Sequence, residues 1–247
     1  MHLKILITND DGIDAIGLQY LVEHAKKYGD VSVVAPKYEQ SAKSQAIEVR
    51  KSFECKKINK FDGVDTYVID STPADCVRFA KYGLHLEYDL VLSGINKGYN
   101  LGEDIWYSGT VAATYEAVST KAKAIAFSVI RDSNEGFKYF DDVMNYIFDN
   151  DLLSYAKILN VNIPKDAKGI KITRQGGSMF ATEFIETSKD YYLAGGDWVV
   201  DMNDEHISYD STCVENGFIS ITPLTGERTD IDAFNQINKK YLKWLPV

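Results

Sequence analysis

Apolar and polar positions through about residue 130 alternate between two periods. Short β-rich runs, LKILIT, VSVVAP, DLVLSGI and AIAFSVI, are separated by stretches such as AIGLQYLVEHAKKYG and GTVAATYEAVSTK, whose apolar residues recur at helical spacing. In the first of these stretches Ile16, Tyr20 and Leu21 share one face with His24 and Ala25, while Glu23, Lys26 and Lys27 point elsewhere. Gly29 is the expected C-cap. This alternation predicts βαβ units, and hence an α/β fold of the Rossmann-like, doubly wound kind with a mainly parallel sheet. Residues 46 to 70 predict β structure, with AIEVRKSFECKKI and VDTYVID flanking a turn at Asn59 to Gly63. Thr72-Pro73-Ala74-Asp75 then predicts a helix start, with Asp75 as a capping acid.

Beyond residue 135 the texture changes. FKYFDDVMNYIFDNDLL predicts a helix, ILNVNIP, GIKITRQ and FISITPL predict strands, and DIDAFNQINKKYLKWL predicts a terminal helix over about 229 to 244. The polar and aromatic segment 177 to 215 is expected to project from the body, with a hairpin in ATEFIETSKDYYLAGG, and its aromatics suit an oligomer contact. No repeat or proline-rich linker divides the chain, so residues 1 to 247 are expected to form a single domain.

Composition narrows the choice of partners. With 45% hydrophobic and 26% charged residues the chain matches an ordinary globular enzyme, and no apolar run reaches the roughly 18 residues of a membrane span. MHLKILITNDD is too short in its apolar part and too soon acidic to read as a secretory signal, which makes the cytoplasm the expected location. Cys55, Cys76 and Cys213 lie far apart and suggest neither a disulfide framework nor a thiolate metal site. A net charge of -9 lacks the basic footprint of a nucleic-acid polymer binder, though a small anion held locally is compatible with it.

Candidate chemistry gathers where strands run into helices, the edge at which doubly wound sheets bind ligands. Four stretches meet that description: TNDDG, APKYEQSAKS, STPAD and SGINKGYNLGEDIWYSGT. A lone Asp after a strand commonly caps the next helix. Two adjacent acids, Asp10 and Asp11, instead make a negative focus suited to a hard divalent cation with oxygen ligands, Mg²⁺ or Mn²⁺. His2, His24, His85 and His206 are scattered and offer no zinc-like cluster. In the fourth stretch glycines alternate with Asn96 and Asn100, and Ser108, Gly109 and Thr110 run directly into a helix whose first N–H groups favour an anion such as phosphate. A metal focus beside an anion site points to phosphoryl chemistry.

TNDDG, VVAP followed by Ser41, STPADCV, LVLSGIN and YSGTVAA occur in order and together resemble the SurE family of survival-protein nucleotidases; NVNIP, ITRQ and FISITPL extend the resemblance to nearly the whole chain. It implies a metal-dependent phosphatase of nucleoside 5'- and 3'-monophosphates that assembles as a homodimer or homotetramer. It also implies one divalent cation per subunit, held by Asp10, Asp11, Ser41 and Asn96. Only Ser41 in that set comes from the resemblance alone. The expected reaction is in-line attack of a cation-activated water on phosphorus, with Asn9 placing the water or a phosphate oxygen and Ser108, Gly109 and Thr110 holding the remaining oxygens.

One departure follows Ser41, where SAKSQAIE puts Ser44 in place of a glycine and adds Lys43, a residue that either contacts phosphate or is solvated. Tyr99, Trp106 and Tyr107 are candidates for stacking on a base. Three rival readings stand beside this one. An aspartyl-phosphate enzyme usually spaces its acids by one residue, a non-catalytic nucleotide-binding assembly protein leaves the acid pair unexplained, and a dinucleotide oxidoreductase lacks GxGxxG spacing after the first strand.

Overall fold

The computed structural model describes residues 2–177, 180–199, 204 and 206–241. Its centre is the strand β1, Leu3–Thr8, followed by α1, Ile16–Ala25, and β2, Gly29–Pro36. Next come β3, Cys55–Ile58, β4, Asp65–Ile69, α2, Pro73–Tyr82, and β5, Leu90–Lys97. A 3₁₀ turn at Gly102–Trp106 leads into α3, Gly109–Ser119, and β6, Lys123–Val129. The second half holds α4, Phe140–Asp149, α5, Leu152–Tyr155, β7, Ile158–Ile163, and β8, Ile170–Ile172. It ends with β9, Phe180–Ser188, β10, Tyr191–Trp198, α6, Asp210–Glu215, β11, Ile219–Leu224, and α7, Ile231–Tyr241.

Among the described residues, nine strands form one sheet in the order β3-β4-β2-β1-β5-β6-β7-β11-β8, parallel throughout except for the β3–β4 and β11–β7 pairings. From β1 the chain winds out to β2 and β4 on one side, then returns to place β5, β6 and β7 on the other. The order therefore reverses between β1 and β5, which opens a crevice at their carboxyl ends. This is the Rossmann-like α/β architecture that the alternating pattern predicts.

Both sheet faces are covered, so the central strands read as nearly continuous apolar runs. Ile5 and Ile7 of β1 pack with Val33, Leu90 and Leu92 beneath Leu18, Leu21 and Val22 of α1 and Val143, Met144 and Ile147 of α4. Leu6 faces the other way, joining Val34, Ile69 and Val91 under Val77 and Ala80 of α2 and Ala113 and Ala117 of α3.

Several local expectations are corrected. Gly29 opens β2 rather than capping α1, whose C-cap is Lys26; a Cβ at Gly29 would lie 2.0 Å from the Leu3 carbonyl oxygen, so close strand packing is what requires glycine. Residues 46 to 54 are irregular, and only Cys55–Ile58 pairs with β4. The helix expected in FKYFDDVMNYIFDNDLL is broken at Asp151, whose φ of 48° is left-handed and separates α4 from α5. Asp75 has a larger task than capping: the Thr72 hydroxyl accepts its N–H, while its carboxylate accepts from the Ser71 hydroxyl and the Glu48 N–H. It thereby ties the 41–54 loop to α2.

The hairpin of β9 and β10 pairs antiparallel and exposes Phe184, Ile185, Tyr192 and Leu193. From Asp210 the chain is buried again, so the residues of α6 belong to the body rather than to a projection. The last residues of the expected terminal helix, 242 to 244, lie outside the described residues, as do Ser178 and Met179 before the hairpin.

A polar knot fastens the loop after β5. Asn100 donates its N–H to Asn162 Oδ1 at 2.8 Å and its amide to Ser128, and its carbonyl accepts from the amides of Asn160 and Asn162 at 2.8 and 2.9 Å. All four side chains are buried, where an unmatched polar group costs about 1–3 kcal/mol. Asn162→Ala strips the partner from the Asn100 N–H and leaves a cavity; a loss of about 3 kcal/mol is expected in urea unfolding. An unchanged midpoint would show the knot to be incidental.

Candidate active site

β1 and β5 deliver the acids and the asparagine to the crevice. Asp10 follows β1 and is buried; its Oδ1 accepts from the Thr110 hydroxyl at the start of α3. The fit there is close, since a Cβ on Gly109 would lie 2.9 Å from Asp10 Oδ2. Only glycine lets the first turn of α3 seat against this carboxylate. Asp11 Oδ2 accepts the Lys97 N–H at 3.3 Å, which ties the acid pair to the end of β5. Asn96 donates its amide to the Gly98 carbonyl at 2.8 Å, leaving its Oδ1 as an acceptor.

The loop after β2 is stitched to the same place. Gly12, at φ +95°, turns the chain after the acids, Ile13 N–H donates to the Pro36 carbonyl, and Gln40 N–H donates to the Asp10 carbonyl at 2.7 Å. The last of these bonds sets Gln40, the residue before Ser41, against Asp10. The Ser41 hydroxyl donates to Glu39 at 2.6 Å. Glu39 is a third acid near the pair that the sequence reading missed, because a lone Glu in a polar loop carries no signal.

Burial dominates the electrostatics. It pushes the Asp10 carboxyl up to about 6, the neighbouring Asp11 charge adds to the rise, and the Thr110 bond opposes it. Asp11 is also raised, first by burial and then by Glu39, with Lys97 and Arg131 acting against that. Among the described residues no Lys, Arg or His forms an ion pair with either acid. Asn9 adds a further unmet demand: its amide donates to the Gly12 carbonyl, while its buried Oδ1 has no partner among the described residues.

The remaining candidates are distributed as follows. Ser108 Oγ accepts the Val111 N–H as the N-cap of α3, which leaves its O–H free to donate, whereas the Thr110 hydroxyl already donates to Asp10. Gly109, first in the helix, keeps its N–H without a hydrogen-bond partner among the described residues. Lys43 is exposed. Ser44 has a left-handed φ of 53° and secures it by donating its hydroxyl to the Trp106 carbonyl at 2.6 Å, which explains how a serine stands where a glycine is expected. Tyr99 packs on Leu101 and Val214, whereas Trp106 and Tyr107 are exposed.

The donor set is oxygen-rich. Asp10 and Asp11 carboxylates, the Asn96 Oδ1 and the Ser41 hydroxyl are the groups a hard divalent cation takes, and among the described residues no three of His, Cys, Asp and Glu form a metal-holding group. Two ionised carboxylates without a cationic partner fit such an ion.

The family described as Survival protein SurE matches residues 5–182. The chain belongs to the SurE family. The 5'-nucleotidase SurE of Thermoanaerobacter sp. (strain X514) is 37% identical over 253 residues, covering 98% of this chain and 99% of the relative. That of Clostridium botulinum (strain 657 / Type Ba4) is 37% identical over 259 residues, covering 97% and 100%. Among solved structures, the SurE protein from Aquifex aeolicus superposes with a TM-score of 0.78 at 33% identity, over 97% of this chain and 99% of that one. The SurE match spans the strands and loops that form the crevice. Among the described residues no helix is long and apolar enough to cross a membrane.

Proposed function

We propose that this SurE chain is a metal-dependent phosphomonoesterase that hydrolyses nucleoside 5'-monophosphates, and 3'-monophosphates as well, to nucleoside and phosphate. The observation that carries the proposal is the Asp10–Asp11 pair, Asp10 buried and Asp11 half-buried, set at the strand reversal against the start of α3 without a cationic partner among the described residues. The relatives named 5'-nucleotidase support the substrate class.

One Mg²⁺ or Mn²⁺ per subunit would be held by Asp10, Asp11, Ser41 and Asn96. Such an ion neutralises charge on phosphoryl oxygens and makes water nucleophilic at neutral pH. For Ser41 to join, its hydroxyl turns from Glu39 toward the acids. The Gly109 N–H and the positive end of α3 face a phosphate oxygen. Thr110 acts through Asp10, which it holds in place and favours as the anion. Asn9, fixed by its bond to Gly12, presents Oδ1 as an acceptor that orients the attacking water. The exposed apolar face of the β9–β10 hairpin fits a contact between copies, so a homodimer or homotetramer is part of the proposal.

Phosphate release from nucleoside 5'- and 3'-monophosphates, measured with Mg²⁺, Mn²⁺ or a chelator, tests the reading. Turnover that requires the cation is expected. A folded, metal-loaded chain that releases no phosphate would overturn it in favour of a binding protein, and a trapped covalent phospho-enzyme would favour attack by an aspartate instead.

A further inference from the structure

A second cavity adjoins the crevice and bears on the choice of base. It encloses about 500 Å³ and runs along one face of α3 through Ser108, Ala112 and Tyr115, closed by Trp106, Gln45 and Arg228. Ser108 belongs to both places, and seven residues of helix from Ser108 to Tyr115 span about 10 Å. A ligand with its phosphate at the start of α3 therefore has room to lay its ribose and base along the helix.

One part of this cavity's polar wall, the Gln45–Arg228 pair, is rich in donors. Arg228 Nη2 donates to Gln45 Oε1 at 3.0 Å. A guanidinium only donates, so the Gln45 amide oxygen must face it, and the Gln45 amide nitrogen is left as a further donor. The other Arg228 N–H groups are donors too. An exposed indole, Trp106 at 57%, supplies a flat surface beside them, and the carbonyl of that residue is pinned by Ser44. Ser44 and Gln45 both lie in the SAKSQAIE stretch after Ser41.

We infer that the cavity is the base subsite, and that the Gln45–Arg228 pair selects 6-oxopurine nucleotides, GMP and IMP, over AMP. The inference rests on the phosphomonoesterase reading and deepens it. O6 and N7 of a 6-oxopurine are adjacent acceptors that meet a donor wall, as in arginine contacts to guanine. The 6-amino group of adenine turns a donor toward donors and leaves one of them unmet. Trp106 stacks on either ring and therefore gives affinity without discrimination.

The test compares kcat/KM for GMP, IMP and AMP with Mn²⁺ in the wild type, Arg228→Ala and Gln45→Ala, beside wild-type hydrolysis of p-nitrophenyl phosphate. GMP and IMP are expected to exceed AMP by about tenfold, and the ratio is expected to fall to about one in Arg228→Ala. Equal values for GMP and AMP in the wild type, or a preference that survives Arg228→Ala, would overturn the assignment. Failure of the phosphatase reading shows separately, as loss of turnover on every substrate including p-nitrophenyl phosphate. Calorimetric titration of the chain with GMP and with AMP then decides the base preference alone, equal affinities counting against it.

Discussion

Asp10→Asn is expected to lower metal-dependent phosphate release at least about a hundredfold, because even groups that merely orient a metal ligand are worth 10–100-fold. Its effect on stability has the opposite sign. Burial, with help from Asp11, raises the wild-type carboxyl from 3.8 to about 6, so the folded chain holds this proton more tightly than the unfolded one. Stability therefore falls as pH rises from about 4 through about 6, and above that range the metal-free fold carries a penalty of roughly 3 kcal/mol for the ionised acid. Asparagine carries no such charge. Thermal unfolding at pH 8 with a chelator should show the variant melting above the wild type, whereas Mn²⁺ should raise the wild type more than the variant. Equal Mn²⁺ responses would remove Asp10 from the ligand set, whatever the activity shows.

Gly17→Ala is expected to destabilise the protein by about 3 kcal/mol, the upper part of the usual overpacking range. Glycine to alanine inside an exposed helix ordinarily stabilises by roughly 0.5–1 kcal/mol, so the sign itself is diagnostic. Here the added Cβ would lie 1.9 Å from the Ile95 carbonyl oxygen, a backbone atom that cannot swing aside. Either α1 or the end of β5 must move. Because Ile95 precedes Asn96 and α1 follows the acid turn, the same shift separates Asp11 from Asn96. A melting temperature lower by about 6–12 °C, with reduced turnover in the surviving folded fraction, is the result to look for by calorimetry. A wild-type melting temperature would mean that α1 and β5 are not held at this distance.

The parts of the fold legible in the sequence were those with strong periodicity. The β1, β2 and β5 runs and the α1 and α3 stretches give α/β alternation, and the strand-to-helix loops give the candidate edge without further help. Less legible were features that depend on what lies across space. Gly29 follows helical residues and so reads as a cap, yet its requirement comes from Leu3, on a strand that precedes the helix. Asp75 shows a capping pattern because the pattern is local, whereas its bond to Glu48 depends on the course of an irregular loop. Within the site, adjacency made Asp10 and Asp11 conspicuous, and the glycine-flanked Asn96 followed. Ser108 and Thr110 were recognised by position, but that the Thr110 hydroxyl donates to Asp10 while Ser108 only accepts from Val111 is a matter of side-chain direction that spacing does not encode. Gln45 and Arg228 are 183 positions apart and carry no motif, so only the fold joins them.

The polar knot at Asn100 has a consequence for the order in which the molecule is made. Every proposed metal ligand lies before residue 97, and α3 begins soon after. The loop between them is nonetheless fastened by Asn160 and Asn162, and its Gly102 N–H is accepted by the buried Asp210 carboxylate. A growing chain emerging N-terminus first therefore has all of its proposed ligands long before it can hold them in place. The centre is completed only when the second half of the sheet arrives, and an isolated N-terminal half would carry the motifs without the geometry.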